Sequence, residues 1–136
     1  QEEYFHTFWR ETVHDVRSAG KSITSLLLGI AIDKGYVGSE DQELNEFFPH
    51  QRPGPTAGFE DVTLRHLLTM SSGIDADDDD PLSPGRTGQW ITRDDWLGYL
   101  LSLPMRATPG VDWVYSDVSP VLIGGIIEKT SGMRLD

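Results

Sequence analysis

Residues 18–35 decide the fold, and they read SAGKSITSLLLGIAIDKG. From Ser18 onward, apolar residues recur at intervals of three and four, which predicts an α-helix. Apolar side chains also occupy its other faces, so we expect this helix to lie in the middle of the fold. Gly35 follows Lys34 as a stop, because glycine readily adopts the left-handed conformation that ends a helix. A serine and a lysine therefore share the first turn of an apolar helix.

Three more helices are predicted. A short one runs from the N-cap Thr63 to a stop at Ser71-Ser72-Gly73, and a second runs from a capping box at Thr92 and Asp95 to Pro104. The last has Ser119 as its N-cap and Pro120 as its first residue, and it ends at Gly132. Residues 36–61 and 75–88 are rich in glycine, proline and aspartate and are predicted as loops. Residues 1–17 mix aromatic and β-branched residues with charges, which predicts an extended N-terminal segment with strand character. The sequence thus predicts four helices, long loops and almost no strand.

The composition excludes several classes of function. The 136 residues amount to about one domain, and 22 acidic against 11 basic residues give a net charge of −11. So acidic a chain repels phosphate backbones and anionic lipid, and we expect no nucleic-acid partner. Without cysteine there is no disulfide framework, thiolate metal site or cysteine nucleophile. The longest apolar run, residues 25–32, is too short to span a membrane.

Two mechanisms compete for the Gly20-Lys21-Ser22 tripeptide. A phosphate-binding loop needs glycine five residues before Gly20, where this chain has Asp15, whose charge repels phosphate. The alternative is Ser-x-x-Lys: Ser18 and Lys21 lie one helical turn apart, so hydroxyl and amine can meet. The helix N-terminus and burial both disfavour an ammonium, so we expect a lowered Lys21 pKa and a lysine that helps activate serine. Taken alone, this spacing is more typical of an ordinary capping serine with a lysine nearby.

Two further segments narrow the assignment. Residues 66–73 read HLLTMSSG, and Tyr115-Ser116-Asp117 follows Pro109-Gly110 in a predicted loop. Together with the Ser-x-x-Lys at residues 18–21, these segments resemble the serine β-lactamase-like family. That family contains class C β-lactamases, penicillin-binding DD-peptidases, and related esterases and amide hydrolases. The resemblance covers about residues 14–133.

The resemblance implies an α+β fold, with a helical region and an antiparallel sheet. This chain corresponds mainly to the helical part with long loops: residues 1–17 are the N-terminal segment and residues 18–136 the helical region, with the C-terminal sheet expected to be absent. The family's third motif, Lys or His, then Ser or Thr, then Gly on a strand, is not found. Residues 129–132 read Lys-Thr-Ser-Gly, but they are predicted to end a helix and their glycine is one position late. We therefore expect half of the oxyanion hole to be missing.

The resemblance also implies a role for each matched residue. Ser18 would be the acylated nucleophile, and its backbone N–H would form half of an oxyanion hole. Lys21 would share in deprotonating it, and Tyr115 would act with Lys21 as base and relay the proton to the leaving group. Trp90 and Trp113, in predicted loops near the tyrosine motif, are the candidate pair lining a substrate cleft. No metal or organic cofactor is implied.

One position departs from the family's Tyr-x-Asn motif, since Asp117 replaces the asparagine. In that family the asparagine holds a substrate amide or the lysine, so the resemblance makes Asp117 a candidate substrate-binding residue. A carboxylate near Lys21 would stabilise its ammonium and so favour Tyr115 as the base. It would also repel a substrate with its own carboxylate, as β-lactams have. We therefore expect a serine hydrolase that forms an acyl-enzyme with a small-molecule ester or amide, with esters preferred over β-lactams. The alternative is a catalytically inactive binding or regulatory module, which Asp117 and the missing third motif favour.

Two other patterns do not match their motifs. His14 and Asp15 beside Ser18 invite comparison with a Ser-His-Asp triad, but no Gly-x-Ser-x-Gly elbow surrounds any serine. The aspartates of residues 75–79 imitate the start of a calcium loop, but the glycine and glutamate that such a loop requires are missing. A solvated acidic loop is expected there instead.

Overall fold

The fold is a set of helices and loops arranged around one long C-terminal helix. The computed structural model describes residues 2–49 and 58–135. Six α-helices and one 3₁₀ turn form in these ranges: α1 (Ala19–Asp33), α2 (Leu44–Phe47), the 3₁₀ turn (Phe59–Asp61), α3 (Leu64–Leu68), α4 (Thr87–Trp90), α5 (Trp96–Leu101) and α6 (Val118–Ser131). The same ranges contain no β-strand, only two isolated antiparallel bridges, Glu43 with Thr63 and Ile74 with Met105.

The hydrophobic core is built around α6, which packs against α1, α3 and α5. Four of its apolar side chains, spaced as one helical face, are buried: Leu122, Ile123, Ile126 and Ile127. Full burial of each such side chain contributes about 1.5–3 kcal/mol. Within the described part of the chain, no helix is long and apolar enough to cross a membrane.

Helix α1 is buried on one side only. Leu28 and Ala31 are 1% and 3% exposed and belong to the core around α6. Ile23, Leu26 and Ile30, which share another face, are 54%, 65% and 45% exposed. The expectation that this helix lies in the middle of the fold is therefore wrong for its exposed face, because an apolar composition does not determine which faces other elements cover.

All four predicted helices are present, and one predicted cap is confirmed. Thr63 begins α3, and its side chain accepts a hydrogen bond from the His66 N–H at 3.3 Å. Two short helices fall in stretches predicted as loops. Helix α2 starts with a capping box between Glu43 and Glu46, a signal hidden by the surrounding glycines and prolines. Helix α4 is a single turn at residues 87–90, and the side chain of its N-cap residue, Arg86, makes no capping hydrogen bond.

Two predicted helix starts are wrong in detail. Helix α5 is capped by Asp95 and not by Thr92: the Asp95 carboxylate accepts a hydrogen bond from the Gly98 N–H at 2.8 Å. Helix α6 begins at Val118 with Asp117 as its N-cap, two residues before the predicted cap Ser119. This earlier start places the residue expected to contact substrate at the end of a core helix.

The N-terminal segment forms turns, and the expected strand is not formed in residues 2–17. The His14 ring packs on Phe8, with the ring centroids 4.0 Å apart. Asp15 accepts a hydrogen bond from the Arg17 N–H at 2.8 Å. These local contacts agree with the rejection of a triad built from His14 and Asp15.

The Lys-Thr-Ser-Gly sequence at residues 129–132 ends α6, as predicted. Thr130 donates to the Ile126 carbonyl at 2.8 Å and Ser131 to the Ile127 carbonyl at 2.6 Å. Gly132 closes the helix with φ of +71°. Both hydroxyls are occupied by their own helix, so this sequence is not a third catalytic motif.

Candidate active site

The site begins at the first turn of α1, where Ser18 is the N-cap residue. Lys21 lies one turn along, and its Nζ donates a hydrogen bond to Ser18 Oγ at 3.1 Å. Arg17, just before the serine, has φ of +47°. Positive φ is uncommon for a residue other than glycine and recurs at functional sites. The chain therefore turns sharply into the helix at the serine.

Tyr115 reaches the same point from the loop between α5 and α6. Its phenol oxygen lies 2.5 Å from Ser18 Oγ, although 97 residues separate the two along the chain. The Lys21 Nζ lies 4.8 Å from the centre of the Tyr115 ring. The structure thus brings the hydroxyl, the amine and the phenol into mutual contact.

The HLLTMSSG run holds the tyrosine loop (residues 102–117) in place through backbone hydrogen bonds. The Val114 N–H donates to the Met70 carbonyl at 2.9 Å, and the Gly110 N–H donates to the Ser71 carbonyl at 2.7 Å. Met70 itself adopts φ of +55°. This run, singled out in the sequence only by resemblance, therefore acts by fixing where the phenol lies.

Replacing Gly73 by alanine is expected to lower the free energy of unfolding by about 2 kcal/mol or more. Gly73 has φ of +73°, and an added Cβ would collide with the Ala107 carbonyl oxygen in the tyrosine loop. Urea denaturation measures the change. The control is Gly29→Ala in α1, where nothing lies within 4 Å of an added Cβ, so stability should be unchanged or slightly higher. Equal stability of the Gly73 variant and the native protein would contradict this account of the loop.

Asp117 forms an ion pair with Lys21, whose side chain is only 19% exposed. Burial lowers the pKa of Lys21, but hydrogen bonds to Asp117 and Tyr115, together with their charges, outweigh burial and raise it above its ordinary value. The fall in the Lys21 pKa expected from burial and the helix N-terminus is therefore wrong, because the Asp117 carboxylate, expected to stabilise the ammonium if it lay near Lys21, does lie against it. Lys21 is held as an ammonium.

The pKa of Tyr115 moves the other way. Hydrogen bonds from Lys21 and Ser18 lower the pKa of the phenol below its ordinary value, because both stabilise the phenolate. The charge of Lys21 adds to this effect, while burial and the Asp117 charge oppose it. Of the two groups touching Ser18, the phenol is therefore the one suited to accept a proton.

The acidic loop is not simply solvated. Asp78 is half-buried, and its Oδ2 accepts a hydrogen bond from the Asp117 N–H at 2.7 Å. Its Oδ1 accepts from the Thr87 hydroxyl at 2.8 Å. No periodicity connects these positions, so the sequence offered no signal for the contact. Within residues 2–49 and 58–135, no group of three or more acidic or histidine side chains is arranged to hold a metal ion.

Comparison with known proteins agrees with the motifs. A family model described as Beta-lactamase matches residues 6–136. The chain belongs to the beta-lactamase family. Esterase EstB of Burkholderia gladioli is 29% identical over 135 residues, which cover 92% of this chain and 34% of that protein. The D-alanyl-D-alanine-carboxypeptidase/endopeptidase AmpH of Escherichia coli K12 is 26% identical over 122 residues, or 90% of this chain and 31% of AmpH.

Solved structures show the same relationship. A D-stereospecific amidohydrolase from Streptomyces sp. superposes with a TM-score of 0.68 at 25% identity, over 89% of this chain and 38% of that one. The residues described here therefore have a β-lactamase-like fold and are mostly helical. The chain spans about a third of the length of the curated relatives that it matches.

In this member of the beta-lactamase family, a cavity of about 740 Å³ opens beside Ser18, with Lys21, Thr87 and Asp117 in its wall. Trp90 also borders it but is only 3% exposed. Trp90 lies in α4 and not in a loop, and its Nε1 donates to a backbone carbonyl at 2.9 Å. Trp90 therefore exposes almost none of its surface to the cavity.

Trp113 faces a different hollow. A second space, of about 400 Å³, is bordered by Tyr115 and by Trp113, which is 67% exposed. The Trp113 and Tyr115 rings are tilted, with centroids 6.4 Å apart. The structure does not bring Trp90 and Trp113 together as the expected cleft pair, since the two side chains border different hollows.

Proposed function

We propose that the protein is a serine hydrolase that forms an acyl-enzyme at Ser18 with a small-molecule ester or amide. The supporting observation is that one hydroxyl contacts both a lysine ammonium, at 3.1 Å, and a phenol oxygen, at 2.5 Å. A nucleophile within hydrogen-bond reach of its base is the arrangement that covalent catalysis needs. Residues 18–136 would supply the helical region of this enzyme. Relatives named as an esterase and a peptidase support the hydrolase class.

In the proposed acylation step, the Tyr115 phenolate takes the Ser18 proton while Oγ attacks the carbonyl carbon of the substrate. Lys21 stays protonated and stabilises the phenolate before the transfer. The Ser18 backbone N–H donates to the developing oxyanion. Tyr115 then gives its proton to the leaving group as the carbonyl–leaving group bond breaks. Water repeats the sequence against the acyl-enzyme and releases the acid, which regenerates Ser18.

An inactive binding module is the less favoured alternative. In a module without catalysis, the contacts among a hydroxyl, an ammonium and a phenol beside a cavity would serve no chemical step. The substitution at Asp117 does not break this arrangement, because the carboxylate forms an ion pair with Lys21 and leaves Ser18 in contact with Tyr115. The geometry therefore supports an active nucleophile.

A fluorophosphonate probe tests the proposed nucleophile. We expect one covalent adduct per molecule of the purified protein, located on Ser18 by peptide mapping and mass spectrometry. Ser22→Ala is the matched control, because Ser22 lies in the same helix one position beyond Lys21 and should not affect labelling. An adduct on a different residue, or none on the native protein, would contradict the proposed function.

Substrate charge is the second testable feature of this site. We expect a short-chain p-nitrophenyl ester to be hydrolysed faster than nitrocefin, because the Asp117 carboxylate repels the carboxylate of a β-lactam. Asp117→Asn should raise the nitrocefin-to-ester ratio of kcat/KM about fivefold, which corresponds to relieving roughly 1 kcal/mol of repulsion. Asp94→Asn, at an exposed loop position, is the control. Faster turnover of nitrocefin by the native protein would rule out the ester preference.

A further inference from the structure

Both oxygens of the Asp117 carboxylate are engaged. Oδ1 accepts from the Lys21 ammonium. Oδ2 lies 2.9 Å from the Thr87 hydroxyl oxygen and shares the single hydrogen of that hydroxyl with Asp78 Oδ1. Asp117 is about one-third exposed, so water can reach it when a protein partner is lost. The direction in which its carboxylate points is therefore fixed by two donors on two different elements, α1 and α4.

Asp78 fixes the frame behind this carboxylate. Its Oδ1 accepts from the Thr87 N–H at 2.8 Å. The same oxygen lies 2.8 Å from the Thr87 hydroxyl oxygen and shares the one hydrogen of that hydroxyl with Asp117 Oδ2. Asp78 Oδ2 accepts from the Asp117 N–H at 2.7 Å. One carboxylate thus joins the first residue of α4 to the N-cap of α6, and buried acceptors of this kind contribute most when all of their partners are present.

We propose that Asp78 and Thr87 are positioning residues that hold the Asp117 carboxylate against Lys21. This inference rests on the proposed function, in which Lys21 must stay charged to serve the Tyr115 phenolate. Without the Thr87 hydroxyl, Oδ2 would lack a donor, and the carboxylate would turn towards water to regain one. Lys21 would then lose its ion-pair partner but keep its burial, which lowers its pKa.

The positions of the charged and titratable groups around Lys21 support the assignment of Asp117 as the carboxylate that keeps Lys21 charged. Tyr115 faces it from the tyrosine loop, and Asp117 faces it from the start of α6. Asp15 and Arg17 border the same cavity from the N-terminal segment, but they bond to each other, with Arg17 Nε 3.8 Å from the Asp15 carboxylate. Asp78 stands behind Asp117 and acts through it.

Competitive acetylation with acetic anhydride tests the inference without using catalysis, because only a neutral amine reacts. Lys34, exposed at the end of α1, is the internal reference in each sample. Thr87→Val should raise the rate of Lys21 acetylation at pH 9, relative to Lys34, about tenfold, which is the effect of a fall of one unit in the Lys21 pKa. Thr87→Ser keeps the hydroxyl and should behave as the native protein. Thr130→Val removes a hydroxyl that is hydrogen-bonded within α6, and it should leave the rate of Lys21 acetylation relative to Lys34 unchanged.

Asp78→Asn is the second variant, because it replaces the carboxylate that accepts from the Asp117 N–H by an amide. This variant should also raise the rate of Lys21 acetylation. In ester hydrolysis, the basic limb of the pH profile should move to lower pH in Thr87→Val, whereas general damage would lower the rate at every pH. Unchanged Lys21 acetylation in both variants overturns the positioning role. Faster Lys21 acetylation in a protein whose Ser18 takes no probe supports the positioning role and overturns the proposed function.

Discussion

Replacing Ser18 by alanine is expected to lower kcat/KM for p-nitrophenyl ester hydrolysis by about 10³- to 10⁶-fold. The Ser18 hydroxyl is the only protein group in the proposed mechanism that forms a bond to substrate carbon. The alanine variant keeps the Lys21–Asp117 ion pair, so the loss should fall on kcat with little change in stability. Steady-state kinetics together with thermal denaturation measure both effects.

Ser22→Ala is the matched control for this prediction. Ser22 lies in α1 beside Lys21 and is exposed. The control should retain the native rate within about twofold, because surface substitutions away from special contacts change stability little. Hydrolysis by Ser18→Ala at more than a tenth of the native rate would show that another group attacks the ester.

Replacing Tyr115 by phenylalanine is expected to lower kcat/KM by about 10²- to 10⁴-fold, the usual contribution of a general base. A base acts in its deprotonated form, so native activity should rise as the pH rises through the lowered pKa of Tyr115, below 10.0. It should fall again as the pH rises through the raised pKa of Lys21, above 10.5, where the ammonium is lost. The phenylalanine variant should lose the acidic limb of this profile.

Tyr36→Phe is the control for the phenol, because Tyr36 is 43% exposed just beyond the C-terminal end of α1, far from the helix start that carries Ser18. It should keep both limbs and the native rate. A Tyr115→Phe variant with the native acidic limb would show that a different group titrates there. In that case Lys21 would be the base, in spite of its ion pair.

The sequence predicted the parts of the site that depend on short-range spacing. Ser18 and Lys21 meet because residues three apart lie on the same side of a helix. The cap at Thr63 followed from the same kind of local rule. Tyr115 was placed near them only by family resemblance, since no periodicity connects positions 97 residues apart.

What the sequence did not predict depends on contacts between distant elements. The direction of the Lys21 pKa shift depends on whether burial or the Asp117 ion pair has the larger effect, and the structure gives the geometry of both. Asp78 lay in an aspartate run that resembled a solvated loop, yet it bonds to Thr87 and to Asp117. Composition also does not determine which face of α1 is exposed or which hollows the two tryptophans border, because both depend on tertiary packing.

Trapping the acyl-enzyme is the most direct test of the central claim. The protein is mixed with p-nitrophenyl acetate, quenched in acid during turnover, and measured as an intact mass and as mapped peptides. We expect a mass increase of one acetyl group, carried by the peptide that contains Ser18, with release of p-nitrophenol in a burst. Turnover with no acetylated protein, or an acetyl group on any other residue, would contradict this claim.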